Sequence, residues 1–139
     1  MWNPFAPRRI PVAKLGRLGE RRAAWFYRLR GYAIVARNVR LREGEIDLVV
    51  RRGRTTAIVE VKTRQTKETG EGYEAVDRIK RERLIQLGER FIAHDSSGGM
   101  LRYDVLSLYW TGRRFVVTHF PDAFRPVSDP MRPWKWRAG

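Results

Sequence analysis

The chain has 139 residues, with 29 Lys or Arg against 15 Asp or Glu, a formal net charge of +14. That length suits one domain burying about two-thirds of its unfolded surface, and the positive field favours a polyanionic partner held with strong salt dependence. With no cysteine, disulfides and thiolate zinc sites are excluded, and with only His94 and His119 a histidine-rich metal site is not expected.

Only five cations are lysines (14, 62, 67, 80 and 135), so nearly all of the charge is arginine. A GC-rich genome would favour Arg over Lys but would not create the excess of positive over negative. Binding to a membrane surface would need a long basic amphipathic helix free of core duty, and none is expected. Nucleic acid is therefore the expected partner, and no membrane. No segment reaches transmembrane length. Arg8-Arg9 is followed by Ile-Pro-Val-Ala-Lys rather than an apolar stretch, so no export signal is read and a cytoplasmic protein is expected.

In chain order, residues 1–12 carry three prolines with Trp2 and Phe5 and read as an irregular arm. Helical character begins near Ala13, or after Gly19, and runs to Arg30, with Gly31 as the natural C-cap. Leu18, Trp25 and Leu29 form one apolar stripe, widened by Ala23, Phe26 and Tyr27. Glu20 lies three, four and seven residues before Ala23, Ala24 and Tyr27, so it borders the packing face. It reads either as a first-turn acid complementing the helix dipole or as a functional acid aimed along the sheet. A strand follows over Tyr32–Leu41, with Asn38 between Arg37 and Arg40 placed to reach backbone or phosphate.

Residues 44–62 are the most informative stretch. Gly44-Glu-Ile-Asp-Leu-Val-Val50 and Ala57-Ile-Val-Glu-Val-Lys62 flank Arg-Arg-Gly-Arg-Thr-Thr, a hairpin signal. A turn at Gly53-Arg54, glycine first as type II′ prefers, sets Asp47 opposite Glu60 and Glu45 opposite Lys62. A turn at Arg52-Gly53 sets Asp47 diagonal to Glu60, still on one face. Alternation then places Ile46, Leu48, Val50, Val59 and Val61 on the other, buried face. Two facing carboxylates repel unless a cation lies between them, and paired oxygens suit Mg²⁺. An edge hairpin in which Glu60 and Lys62 pair across solvent is the alternative.

Thr63–Gly72 is polar and reads as a loop beside these residues, with Arg64 keeping the parity of Glu60 and Lys62. A second helix spans about Tyr73–Ala93, its stripe made by Val76, Leu84, Leu87 and Phe91 with Ile79 and Ile92 beside it. Lys80 falls inside that stripe, where it either snorkels to the rim or points at whatever the acids hold. Asp95-Ser-Ser-Gly-Gly is a breaker. Leu101–Trp110 reads as a strand with Asp104 sharing a face with apolar residues, partnered by a group such as Arg102. Thr111-Gly112 turns into a last strand, Arg113–Phe120. Residues 121–139 contain four prolines, which exclude a regular element, and two tryptophans expected to dock on the domain rather than to stack on bases.

Seven motifs then fall in order: Gly16-Arg-Leu-Gly-Glu20, Gly31-Tyr32, Arg37-Asn38, Gly44-Glu-Ile-Asp47, Val59-Glu-Val-Lys62, Lys80 and Arg102-Tyr-Asp-Val105. Together they resemble the YraN-like family (uncharacterised protein family 0102), predicted endonucleases akin to archaeal Holliday-junction resolvases, over about residues 14 to 120. The resemblance implies an α/β fold with a restriction-endonuclease-like PD-(D/E)XK core, a mixed central sheet flanked by helices. The domain would cover 13–120 between the arm (1–12) and a tail (121–139). Asp47 would be the first acid and Glu60-Val61-Lys62 the E-x-K element; Ile46 stands where the motif's proline would be. Glu20 would match the helix-borne acid of many such nucleases.

The implied activity is Mg²⁺- or Mn²⁺-dependent hydrolysis of DNA phosphodiesters, including branched or otherwise structured DNA. Asp47, Glu60 and the Val61 carbonyl would hold the metal, and Glu20 would position water or a second ion. Lys62 would act electrostatically first, because its reference pKa of about 10.4 makes it a poor base. Arg37, Arg40, Arg42, Arg64, Lys80, Arg81 and Arg83 are the candidates for nucleic-acid contact. Junction resolution would require two active sites and hence a homodimer. The competing function is a non-catalytic DNA- or RNA-binding protein that kept the nuclease fold; a third is an assembly partner with an incidental basic surface.

Overall fold

The computed structural model describes residues 3–6, 9–65, 78–93 and 99–126. Its elements are α1 (Val12–Arg28), β1 (Ala33–Leu41), β2 (Gly44–Arg52), β3 (Thr55–Arg64), α2 (Arg78–Ala93), β4 (Met100–Trp110) and β5 (Phe115–Phe124). The strands form one sheet in the order β1-β2-β3-β4-β5. Neighbours are antiparallel except β3 and β4, which run parallel because α2 carries the chain between them. Among the described residues no helix is long and apolar enough to cross a membrane.

One helix covers each face. On the α1 side Ala23, Phe26 and Tyr27 pack with Leu48, Val50, Val59 and Leu106. On the α2 side Leu84 and Leu87 pack with Ile46, Val49, Ile58 and Tyr103. Apolar residues at both parities of β3 and β4 follow from this, since neither face of the central strands meets water. The molecule is therefore an α/β mixed sheet flanked by helices.

α1 corrects the expected stripe. Trp25 and Leu29 face outward, 54% and 74% exposed, while Leu15, Gly19, Ala23, Ala24, Phe26 and Tyr27 are buried. The small residues decide the orientation. A Cβ added to Gly19 would lie 2.0 Å from Thr63 Cγ2, so glycine there lets the helix axis approach β3 closely and turns the larger neighbours away. Gly31, at φ +84, ends the helix as expected. Tyr32 N–H donates to the Tyr27 carbonyl and Gly31 N–H to that of Arg28, both at 3.0 Å, the paired bonds of a Schellman turn.

α2 buries Leu84, Leu87 and Gly88, but Ile79 is 68% exposed and so stands off the predicted stripe. Val76, the start of the predicted helix and most of the polar loop before it (66–77) lie outside the described residues, as does most of the breaker (94–98). β5 also departs from expectation. It continues through Pro121 to Phe124, with Ala123 and Phe124 buried in the α2-side core. Proline is tolerated because β5 is an edge strand. The register shifts between Tyr103 and Val105, Asp122 adopts φ +54, and its N–H donates to the Asp104 carboxylate at 3.0 Å. At the other end the Gln65 side chain bonds both the N–H (2.8 Å) and the carbonyl (2.7 Å) of Ile10, holding the irregular arm to the end of β3.

Candidate active site

The β2–β3 hairpin turns at Gly53-Arg54. Gly53 takes φ +59 while Arg54 is not among the residues with positive φ, the type II′ combination. Pairing runs from Arg52↔Thr55 to Leu48↔Val59, and one further step sets Asp47 opposite Glu60. The ladder stops at that step. Asp47 Oδ2 accepts the Val61 N–H at 2.9 Å, so a side chain replaces the backbone partner. Across β1 the same level is irregular, with Asn38 at φ +49 between the pairs Arg37↔Leu48 and Val39↔Ile46.

This break overturns one expectation. Ile46 belongs to the α2-side core and Leu48 and Val50 to the α1-side core, so the three do not share a face. Alternation fails at Asp47, and its carboxyl sits in the fork where β2 and β3 part. β3 remains regular, with Val59 and Val61 on the α1 side and Glu60 and Lys62 on the other.

Glu60 is only 5% exposed. Lys80 Nζ lies 2.5 Å from its Oε1, and Lys62 Nζ lies 3.6 Å from the same oxygen. Lys80 therefore points at the acids rather than to the rim. Burial, then the charge of Glu60, pushes the Asp47 carboxyl up from 3.8 to about 7, against the Val61 N–H and Lys80, which pull it down. Burial and then the neighbouring Lys80 lower Lys62. For Lys80 itself burial acts downward, but its contacts with Glu60 and Lys62 outweigh it and the ammonium is held above its ordinary value. Two hard carboxylates kept together at the cost of retaining a proton form a donor set that a divalent cation fits by replacing that proton.

Glu20 lies on the α1 side. With Arg17, Arg21, Arg37, Asn38, Asp47 and Val61 it lines a hollow of about 210 Å³. Asn38 does not meet backbone. With its amide turned so that nitrogen faces the acids, it donates to Glu20 at 3.2 Å and to Glu45 at 3.3 Å. Among the described residues no three Asp, Glu or His side chains gather closely enough to form a metal cluster, so Glu20 shares the hollow with Asp47 without joining the Asp47–Glu60 pair. Of the predicted phosphate contacts, Arg37, Arg40, Arg42 and Arg83 are exposed, and Arg64 and Arg81 half-buried. Arg17 and Arg21 were missed. The available signal was their place on either side of Glu20, three residues before it and one after.

Asp104 is fully buried and has more partners than Arg102 alone. Arg102 donates to both carboxylate oxygens at 2.7 Å, Tyr27 donates its hydroxyl at 2.9 Å, and His119 Nε2 lies 3.0 Å away. Burial acts to raise this carboxyl, but His119, Arg102 and the Asp122 N–H prevail and hold it at about 2. The knot joins β4, β5 and the C-terminal turn of α1. Its role is to fix the helix that carries Glu20.

Residues 19–108 match the model of uncharacterised protein family UPF0102. A UPF0102 protein of Nocardia farcinica is 45% identical over 112 residues, 79% of this chain and 88% of the relative. One of Myxococcus xanthus is 36% identical over 110 residues, 78% and 87% of the two chains. One of Chloroflexus aurantiacus is 40% identical over 108 residues, 76% and 88%. The matched span contains Glu20, Asp47, Glu60, Lys62, Lys80 and Asp104, and leaves most of both terminal segments outside.

Proposed function

The chain belongs to uncharacterised protein family UPF0102, the YraN-like family, and from that premise we propose that it is a metal-dependent endonuclease with a PD-(D/E)XK core, acting on DNA. The observation that carries this reading is the Asp47–Glu60 carboxyl pair, Glu60 buried and Asp47 half-buried, with Lys62 and Lys80 against it. Asp47 and Glu60, with the Val61 carbonyl, would hold Mg²⁺ or Mn²⁺. Such an ion supplies charge to a phosphate oxygen and acidity to water.

The chain's own groups do the rest. Lys62, on the strand face of Glu60, orients the attacking water and offsets charge developing on the phosphorus oxygens. Lys80 holds Glu60 in place and adds a second positive charge on that side. Glu20, tied to Asn38, positions water from the α1 side. Arg17, Arg21 and Arg37 around the hollow, with Arg40, Arg42, Arg64, Arg81 and Arg83, contact phosphates and set position rather than sequence preference. Cutting a four-way junction symmetrically would take two copies, hence a homodimer, and a DNA substrate fits a cytoplasmic location.

The test is cleavage of branched, flapped, single-stranded and duplex DNA with Mg²⁺ or Mn²⁺. Nicking is expected that Asp47→Ala and Lys62→Ala abolish while DNA binding survives; wild-type protein inert on all four substrates with both metals would sink the enzyme reading. A second reading is favoured by the ion pair of Glu60 with Lys80 and the absence of a third acid beside them among the described residues. It is a DNA- or RNA-binding module that kept the fold without the chemistry. Calorimetric titration with Mn²⁺ separates the two, since the enzyme gives saturable heat that Asp47→Ala removes and the pure binder gives none.

A further inference from the structure

α1 has an outward face with a composition of its own. At 3.6 residues per turn, Lys14, Arg17, Arg21, Trp25 and Arg28 fall within about 80° of one another around the helix. All five are exposed. The opposite arc, Leu15, Gly19, Ala23, Phe26 and Tyr27, packs on the sheet, so this orientation is fixed by the core. Glu20, the acid within α1, stands off the ridge on the flank facing Asn38. From Lys14 to Arg28 the ridge is about 21 Å long at 1.5 Å per residue, the rise of about six stacked nucleotides at 3.4 Å each. Arg17 and Arg21 also line the hollow that holds Glu20 and Asp47, which makes the ridge continuous with the site.

Cations alone would serve any polyanion. Trp25 narrows the choice, because a tryptophan 54% exposed amid four positive side chains has a flat face to offer, with the Arg28 guanidinium 5.4 Å from the ring centroid. In a duplex the base faces are already stacked on one another. An unpaired strand presents free base faces as well as phosphates, and aromatic platforms beside cations are how such strands are held.

We propose that the α1 ridge guides an unpaired nucleic-acid arm into the candidate site, its phosphates against Lys14, Arg17 and Arg21 and a base stacked on Trp25 beside Arg28. This rests on the nuclease reading for its destination and names the substrate class, DNA with a single-stranded arm.

The experiment is fluorescence anisotropy with the full chain in EDTA, comparing a labelled flapped duplex with a blunt duplex of equal length. Trp25→Ala is expected to weaken flap binding about tenfold or more and to leave blunt-duplex binding within about twofold; Trp25→Phe should restore most of the flap affinity. Arg21→Ala should weaken both and lower the salt slope by about one. Trp25 is outside the core, so equal melting temperatures check that the variants are folded. Unchanged flap affinity in Trp25→Ala, or equal loss on both DNAs, overturns the proposal. So does Trp25-dependent binding to anionic lipid vesicles with flap binding unmoved. Because no divalent ion is present, an inert site leaves this result intact, and cleavage that persists with Trp25 shown irrelevant to flap binding refutes the ridge alone.

Discussion

The Asp47 carboxyl gives the sharpest prediction. Asp47→Asn keeps an oxygen for the Val61 N–H but cannot ionise beside Glu60. The folded wild type holds the Asp47 proton to about pH 7 against an ordinary 3.8, so the native state binds more protons than the unfolded chain between those values. Wild-type stability from this group is therefore fully present below about pH 4 and is lost as pH rises through 7. Three units at about 1.36 kcal/mol each cap the penalty at ~4 kcal/mol. Removing it should stabilise the Asn variant by ~2–4 kcal/mol at pH 8, about 6–12 °C in Tm for a domain of this size. At pH 4 the gain should vanish. Thermal melts of both proteins in EDTA between pH 4 and 8.5 read this difference directly, because the other titrating groups cancel. Adding Mg²⁺ or Mn²⁺ at pH 8 should then raise the wild-type Tm, by about 2.7 kcal/mol of linkage at a hundredfold excess over Kd, and leave the variant unmoved. A Tm difference that does not vary with pH, or a variant less stable than wild type at pH 8, would refute the reasoning.

Two further outcomes follow from packing and charge. Gly19→Ala places a methyl 2.0 Å from Thr63 Cγ2 and should cost about 1–3 kcal/mol in denaturant melts, with partial recovery in the Gly19→Ala/Thr63→Ser double variant; additive losses would mean that α1 does not ride on Thr63. Asp104→Asn breaks a buried charged knot and should cost about 3–5 kcal/mol at pH 7. Since the Asp104 carboxyl is held down at about 2, its stabilisation exists above about pH 4 and fades as pH falls through 2. The cost of the variant, measured by urea titration, should therefore shrink by about 2.5 kcal/mol toward pH 2.

The hairpin register was legible because a two-residue turn with glycine first admits few geometries, and pairing propagates from it. Asp104 announced a partner because an acid in an apolar strand must have one. What escaped was local and three-dimensional. Nothing in Ile46-Asp47-Leu48 signals that alternation fails there; the cause is a left-handed Asn38 on the neighbouring strand and a side chain that takes over a backbone hydrogen bond. Trp25 was misassigned because helical periodicity ranks residues by size, whereas the sheet contact is won by the glycine and alanines that permit the closest approach. Pro121 misled because a proline forbids a central strand but not an edge strand.

The break at Asp47 also explains why one acid serves groups from both layers. α1 delivers Arg17, Glu20 and Arg21 to one face of the sheet, and α2 delivers Lys80 to Glu60 on the other. In an unbroken ladder the sheet would separate the two sets, since side chains of a single strand position reach one face only. Asp47, lying in the fork, lines the α1-side hollow and feels the charge of Glu60 on the α2 side. The lost backbone pair and the retained proton are thus a local cost in stability, of the kind that accompanies sites where charged groups are held together for use. Restoring the ladder there would be expected to favour the fold and to divide the site in two.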